Sequence, residues 1–389
     1  MFTAISPTKQ DTVYINAETY LTFEGMHLNH GKSFDPKNGL FIAPENGTYK
    51  LSFTTHVYTS LYIDQVTLVI EKNKMEQLTY STNGYPHGNW AFSWMMSLQN
   101  NDQVKIKLKK GRLQIRQGSV FSARQMIWSG MILSSCSVAF SSYMNTLDTT
   151  SSGPLKFNKF LVNVGNAFDL SIFKAPLDGM FEFSFTVTQY SGEAQIDVTK
   201  NNVVILSFSS DDKQYTSFGA SWLIELEKDD EIQLTVARGS IISNSDKIKI
   251  FNGHLLQYQT TEAVLFCVFS NSGSKILANG YILFDKLLLA NIGGGYDIET
   301  GKFKAPIKGT YEFSLTVNSD NGYGGVFVER NGTNEWGFYS RSVEHSSIGP
   351  TWIMHLNQYD TIRLRVQGVA VYTDSQNNRI FSGKLIKKG

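Results

Sequence analysis

Cysteine is almost absent: Cys136 and Cys267 are the only two in 389 residues. Two thiols cannot build a disulfide framework or a four-cysteine zinc site. They either pair with each other or lie buried and unpaired as small apolar side chains, and the second is expected. Proline is scarce, at 8 residues, and the 32 glycines follow no three-residue period. That excludes a collagen segment. Net charge is nearly absent too, since 35 Lys+Arg face 34 Asp+Glu. A globally basic nucleic-acid binder and an acidic disordered tail are both excluded. No apolar run approaches the ~18 residues that a membrane-crossing helix needs. The best candidate, 281–292, is broken by Asp285 and Lys286. No membrane span is expected. Met1 to Pro7 carries neither a basic start nor an apolar run, so no signal peptide is read there.

What the chain does have is aromatic residues, at 13%, and repetition. Ala43-Pro44, Ala175-Pro176 and Ala305-Pro306 are each preceded two residues earlier by Phe41, Phe173 and Phe303. Each pair is followed by Gly47, Gly179 or Gly309 and then by Tyr49, Phe181 or Tyr311. Trp94, Trp222 and Trp352 each stand four residues before Leu98, Leu226 and Leu356. Asp102, Asp230 and Asp360 lie four residues further on. Between the blocks fall Lys72-Asn73, Lys200-Asn201 and Arg330-Asn331. Each copy closes on Trp128/Gly130, Phe251/Gly253 or Phe381/Gly383. So many landmarks in one order, three times over, mark three tandem domains: 1–133, 136–257 and 263–389.

Every copy reads as β. Tyr49-Leu51-Phe53, Phe181-Phe183-Phe185 and Tyr311-Phe313-Leu315 alternate with polar residues at period two, as do the runs beginning at Val104, Ile232 and Ile362. Turn residues separate the runs, and no helical stripe stands out. The expected fold is all-β: three tandem antiparallel two-sheet sandwiches. The motif residues themselves are scaffold. Glycine supplies the turn, the aromatic starts a core strand, and proline sits at a strand end where it removes no ladder bond.

These landmarks resemble the globular head of complement C1q, a family related to the tumour necrosis factor jelly rolls. The third copy is the nearest to the pattern, with Tyr296-Asp297, Phe303, Ala305-Pro306, Gly309, Tyr311, Arg330-Asn331-Gly332 and Phe381-Ser382-Gly383. The first departs at Trp128 and Lys74, the second at Asn202 and by one residue before Phe173. The resemblance covers nearly the whole chain. It implies ten-stranded jelly rolls that assemble as trimers with both termini of each head at one end. The links after Leu133 and Leu256 are short, so the three domains are expected to be neighbours packed on one another as a single-chain pseudo-trimer. Net charges of +4 over 1–135, −5 over 136–260 and +2 over 261–389 suit contact between unlike neighbours.

No catalytic set can be assigned. The seven histidines share no repeat position, and nucleophile, phosphate-loop and dinucleotide motifs are missing. The protein is therefore not expected to be an enzyme. His27 and His30 lack a third metal ligand nearby. Asp211-Asp212 and Asp229-Asp230 lack the ligand spacing of a calcium loop. No cofactor is expected, although some relatives hold calcium near the trimer axis and the resemblance leaves that ion open.

Binding residues are easier to nominate. Lys105, Lys107 and Lys109 alternate with Val104, Ile106 and Leu108 and so project from one sheet face, followed by Arg112 and Arg116. Arg363 and Arg365 occupy the places of Lys105 and Lys107 in the third copy. Either these are a solvated face or they bind anionic polymers. Tyr85, His87 and Trp90 in one loop, and Tyr323 in another, set aromatic groups among turn residues, where they could stack on sugars. Asn46 and Asn331 head glycosylation sequons. The expected function is lectin-like, extracellular binding of glycans or anionic microbial surface polymers. The alternative is a structural or adhesive coat component, or a cytokine-like ligand of a protein receptor.

Overall fold

The computed structural model describes residues 1–6, 12–58, 65–83, 88–116, 126–133, 136–210, 216–257, 262–319, 322–342, 346–368, 370–373 and 378–389. Each repeat's period-two runs become strands, and every strand pairing is antiparallel. In the first unit one sheet orders Thr12–Asn16, Arg112–Arg116, Gly47–Tyr58, Met126–Ile132, Phe2–Ser6 and Gly25–Asn29, with Gly88–Leu98 also paired to Gly47–Tyr58. The facing sheet orders Phe34–Asp35, Leu40–Ile42, Gln103–Lys110, Gln65–Lys72 and Met75–Asn83. The second and third units repeat this plan around Gly179–Gln189 and Gly309–Ser319. The one helical turn among the described residues is the 3-10 turn His30–Lys32.

The landmark residues account for the layers. Phe2 stacks on Phe34 with ring centroids 4.5 Å apart, Phe140 on Phe168 at 4.3 Å and Phe266 on Tyr296 at 4.6 Å. Gly130, Gly253 and Gly383 lie across the pair of strands from these rings, where a Cβ would run into Phe2, Phe140 and Phe266. The closing glycine of each repeat is thus a packing requirement. At the hairpin tips, Asn73-Lys74, Asn201-Asn202 and Asn331-Gly332 all have positive φ in both residues, the signature of a type I′ turn. Lys74 and Asn202, the two departures from glycine, hold the same conformation that Gly332 adopts without strain.

Beneath each tip lies a repeated clip. Asn73 Nδ2 donates to Asp102 Oδ1 (2.6 Å) and Asn73 Oδ1 accepts from the Gln103 amide (2.8 Å). Lys72 Nζ lies 2.8 Å from the other Asp102 oxygen. Asn201, Asp230 and Lys200 repeat the arrangement, as do Asn331, Asp360 and Arg330. Burial pushes each carboxyl upward, but its lysine or arginine and its asparagine outweigh that and hold it below the usual range.

The three units pack on one another through equivalent residues. In strands Gly88–Leu98, Ser217–Leu226 and Thr351–Leu356 the tryptophans turn into their own cores, and the next residues turn outward. Met95 packs in a cluster with Val162, Leu223 with Leu289, and Ile353 with Leu28. The contacts therefore run from the first unit to the second, the second to the third, and the third to the first. Ile250, Ile380 and Ile127 follow the reverse circuit, each buried in the core cluster of the preceding unit.

One consequence is visible on the long central strands. Lys50, Glu182 and Glu312 face away from their own cores, next to Tyr49, Phe181 and Tyr311, and should be exposed. All three are buried, because each faces the other units. Lys50 Nζ donates to Glu182 Oε1 (2.6 Å) and Glu312 Oε1 (2.9 Å). Lys384 bonds Glu182 and lies 2.7 Å from Glu312 Oε2. His254 Nε2 stands 3.4 Å from Glu182 Oε2. Burial would raise the Glu182 carboxyl, but Lys384 and Lys50 outweigh it and hold it far below the carboxylate range. Burial would lower the Lys384 ammonium, but the two glutamates keep it above its ordinary value. His254 is pushed down to about 3, first by burial and then by the two lysines.

Removing one partner leaves an uncompensated buried charge, so Lys384→Met should cost about 3–5 kcal/mol in denaturant unfolding, and Lys384→Met with Glu182→Gln should cost less than the single change. The pH profile follows from the signs. The depressed Glu182 and His254 stabilise above their unfolded pKa values and lose that contribution as pH falls; the raised Lys384 loses its own only at strongly alkaline pH. Unfolding free energy should thus begin to fall near pH 6.5, where an unfolded histidine starts to take a proton. In His254→Gln the loss of stability between pH 6.5 and the carboxylate range should be smaller, the remainder being carried by His27 and His30, which burial also holds below their ordinary value. An unchanged slope over that range would assign the acid response elsewhere.

Candidate ligand-binding surface

Lys105, Lys107 and Lys109 lie on an outer sheet of the first unit, and Arg363 and Arg365 on the equivalent strand of the third, whereas Arg112 and Arg116 stand on Arg112–Arg116 in the sheet that holds Gly47–Tyr58. In Gln103–Lys110, Val104, Ile106 and Leu108 are fully buried, so Lys105, Lys107 and Lys109 face outward as the alternation requires. The short strand Thr19–Tyr20 pairs alongside and brings the Tyr20 ring under them. Lys105 Nζ lies 4.7 Å from the ring centroid and Lys107 Nζ 5.9 Å. The Tyr20 hydroxyl donates to Glu71 Oε2 (2.9 Å), and that bond raises its pKa.

Part of the positive charge is already matched. Lys107 Nζ bonds Glu18 Oε2 at 2.5 Å and Lys109 Nζ bonds Glu76 Oε1 at 2.8 Å. Arg112 Nε donates to Asn16 Oδ1 (3.1 Å), and its guanidinium lies 5.5 Å from the Tyr14 ring centroid. On Thr361–Gly368, Arg365 bonds Glu329 and reaches Asn334 Oδ1 at 3.1 Å. Arg363 stacks over Tyr281, 3.3 Å from its centroid, and donates Nε–H to the Thr300 carbonyl (3.1 Å). Tyr281 bridges to Arg365 across the sheet, as Tyr20 pairs with Lys107. The two places therefore match: an exposed tyrosine lies under one cation, while the next cation is held by a glutamate. Among the described residues neither Lys105 nor Arg363 is paired with a carboxylate. The second unit has Pro154 at the tyrosine's place and Gln233 and Thr235 opposite. The basic residues fall into groups on separate sandwiches rather than one continuous stripe.

The remaining nominations fall differently. Trp90 is not a loop residue. It begins the inward face of Gly88–Leu98, is 3% exposed, and packs on Phe92 and Tyr80. The period-two series Trp90, Phe92, Trp94, Met96 and Leu98 carries it into the core, so it cannot stack on a ligand. Tyr85 and His87 lie outside the described residues. Arg116 and Tyr323 are placed only by their strands, Arg112–Arg116 and Gly322–Arg330.

The metal candidates have other partners where they are described. His27 lies in Gly25–Asn29, where its Nε2 accepts from Trp336 Nε1 of the third unit at 3.0 Å. Asp230 belongs to the repeated clip and Asp229 pairs with Lys174 at 3.2 Å; Asp211 and Asp212 lie outside the described residues. Among the described residues no group of three His, Cys, Asp or Glu is placed to hold a metal. Of the sequon asparagines, Asn331 spends its Nδ2 on Asp360, whereas the Oδ1 of Asn46 accepts from the Asn100 amide at 2.7 Å.

Sequence reasoning missed Tyr20 and Tyr281, which precede the core residues Leu21 and Ile282 in matching registers. It also missed the buried cluster of Lys50, Glu182, Glu312 and Lys384. Its signal was an ionisable residue at one repeat position of a strand face otherwise made of serine and threonine.

The model of the C1q domain matches residues 1–133, 139–256 and 265–386. Among curated proteins, complement C1q tumor necrosis factor-related protein 3 of Homo sapiens is 29% identical over 122 residues, which covers 30% of this chain and 47% of that protein. Complement C1q and tumor necrosis factor-related protein 9B of Homo sapiens is 30% identical over 114 residues, 26% of this chain and 33% of that one. The chain thus spans half or less of the curated relatives it matches. Among solved structures, the globular domain of a zebrafish complement 1qA protein aligns at 18% identity and a TM-score of 0.29, over 33% of this chain and all of that one.

The thiols give a direct check on the packing. Cys136 and Cys267 are both free, and Cys267 is fully buried against Leu223, which pushes its pKa up to about 12. A thiol-specific chromogenic reagent at pH 8 should titrate no more than one cysteine in the native protein and two in denaturant. Rapid native reaction of both would contradict the burial of Cys267.

Proposed function

The chain belongs to the C1q domain family in each of its three repeats, and we propose that it is a non-enzymatic recognition protein presenting three unlike heads in one body. In this reading the heads close around an axis as a single-chain counterpart of the family's trimer. The support is the circuit of Met95, Leu223 and Ile353 and the meeting of Lys50, Glu182 and Glu312 from one repeat position.

The ligand class in this reading is an anionic glycan or microbial surface polymer, in an extracellular setting. One observation carries it: Lys105 over Tyr20 and Arg363 over Tyr281 repeat the same motif on two heads. An aromatic face accepts the apolar side of a sugar ring, and the adjacent cation takes a carboxylate or sulfate. Two modest half-sites on one rigid body gain by avidity when the polymer spans both. A protein receptor or coat contact is the second reading. It is favoured by Met75, Val203 and Val204, apolar residues exposed beside the hairpin tips of the first two units.

A panel of acidic and neutral glycans and lipopolysaccharide decides between them. Acidic members should bind, more weakly at higher salt, and Lys105→Glu or Arg363→Glu should each weaken binding several-fold, with the double variant losing more than either. Binding that ignores both substitutions, or failure of all glycans alongside one tight protein partner, would overturn the glycan reading.

A further inference from the structure

The ends of all three units surround a cavity of about 300 Å³. Its walls are one repeat position taken three times: Ile132-Leu133, Leu255-Leu256 and Leu385-Ile386. These residues follow Met131, His254 and Lys384 along the last strands of the three units, at or just past the strand end in the first two and within Arg379–Lys388 in the third. Met131, His254 and Lys384 line its inner side, with His254 and Lys384 both buried. At the outer side stands Lys387, exposed, next to Lys388, whose ammonium is taken by Glu262. Lys387 is close enough to His30 to bear on its charge, as is His355. Ligand pockets begin near 300 Å³, so this one suits a single aliphatic chain and no bulkier group.

The charge pattern sets the orientation. Inside, Lys384 is answered by Glu182 and Glu312, and His254 is neutral at ordinary pH, so the inner end offers no net charge to a ligand. The charged group of the lining there is Lys384, whose ammonium is already bonded to Glu182 and Glu312, so an anionic head would have to compete with both carboxylates for it. At the outer end the lining offers the exposed ammonium of Lys387. The favourable placement is an aliphatic tail inward and an anionic head outward on Lys387.

We propose that this cavity is a binding site for a medium-chain aliphatic carboxylate. The site requires all three units, since each contributes one wall, and it is independent of the outer tyrosine–cation half-sites. A ligand here would tie the ends of the three units together and stabilise the packed state by mass action.

Isothermal titration with decanoate, decanol and decyltrimethylammonium, each below its aggregation threshold, tests it. Decanoate should bind saturably, one per chain, and raise the melting temperature; the cationic amphiphile should not bind. Leu256→Trp and Ile386→Trp, which fill the walls, should each lower decanoate affinity at least tenfold. Lys387→Glu should weaken decanoate at least fivefold and leave decanol unchanged. Absence of saturable decanoate binding, or equal weakening of decanoate and decanol by Lys387→Glu, overturns the proposal. Should both tryptophan variants fail to fold, the exposed Lys387→Glu variant decides alone.

Discussion

Lys50, Glu182, Glu312 and Lys384 are four charges taken out of water together, and none of them is tenable alone. An ion moved into a protein interior costs several kcal/mol even after relaxation, and only close, hydrogen-bonded partners of opposite sign offset that. Here the partners come from three different units, joined by Lys50 to both glutamates and by Lys384 to both again. Two positive and two negative charges leave the cluster neutral. A unit that swings away strands the charges it leaves behind, so the packing of the three is bound up with the ionisation of each.

The same cluster says something about linking three copies in one chain. Lys50, Glu182 and Glu312 share one repeat position, as do Met131, His254 and Lys384. Three identical units would bring three like charges together, and like charges in contact cannot all stay ionised. Covalent linkage frees the copies to differ, so that lysine meets two glutamates at one level while methionine, histidine and lysine share the next. The cost is specificity of order: each unit fits one place. Around this level the interface is uncharged, with Ser52, Ser184, Ser314, Thr54, Thr186 and Thr316 buried on the same strand faces. The sheets that carry Tyr20 and Tyr281 face away from this interface.

Much of the fold could be read from residue order. The triplicated landmarks, the period-two strands and the sandwich class follow from types and spacings, because each landmark has a local job: Gly130 must clear Phe2, Asn73 must turn and Asp102 must clip. What could not be read were relations between units. Alternation told which residues leave the core, as for Lys50, but not that a second unit would cover them. The candidate site was legible by half. Lys105 and Arg363 were found from register, but their tyrosines come from separate short segments. Glu18, from a turn, and Glu76, from another strand, neutralise Lys107 and Lys109, so the run of basic residues overstated the charge offered. Trp90 was misplaced because its neighbours in sequence are turn residues, although its own alternation with Phe92 and Trp94 already pointed inward.

The central claim is closure of three units into one body, and small-angle scattering of the monodisperse chain tests it most directly. A closed 389-residue body should show a radius of gyration of about 21 Å, as a single compact domain of that length would. A value of roughly 30 Å or more, that of three beads in an open row, would contradict it.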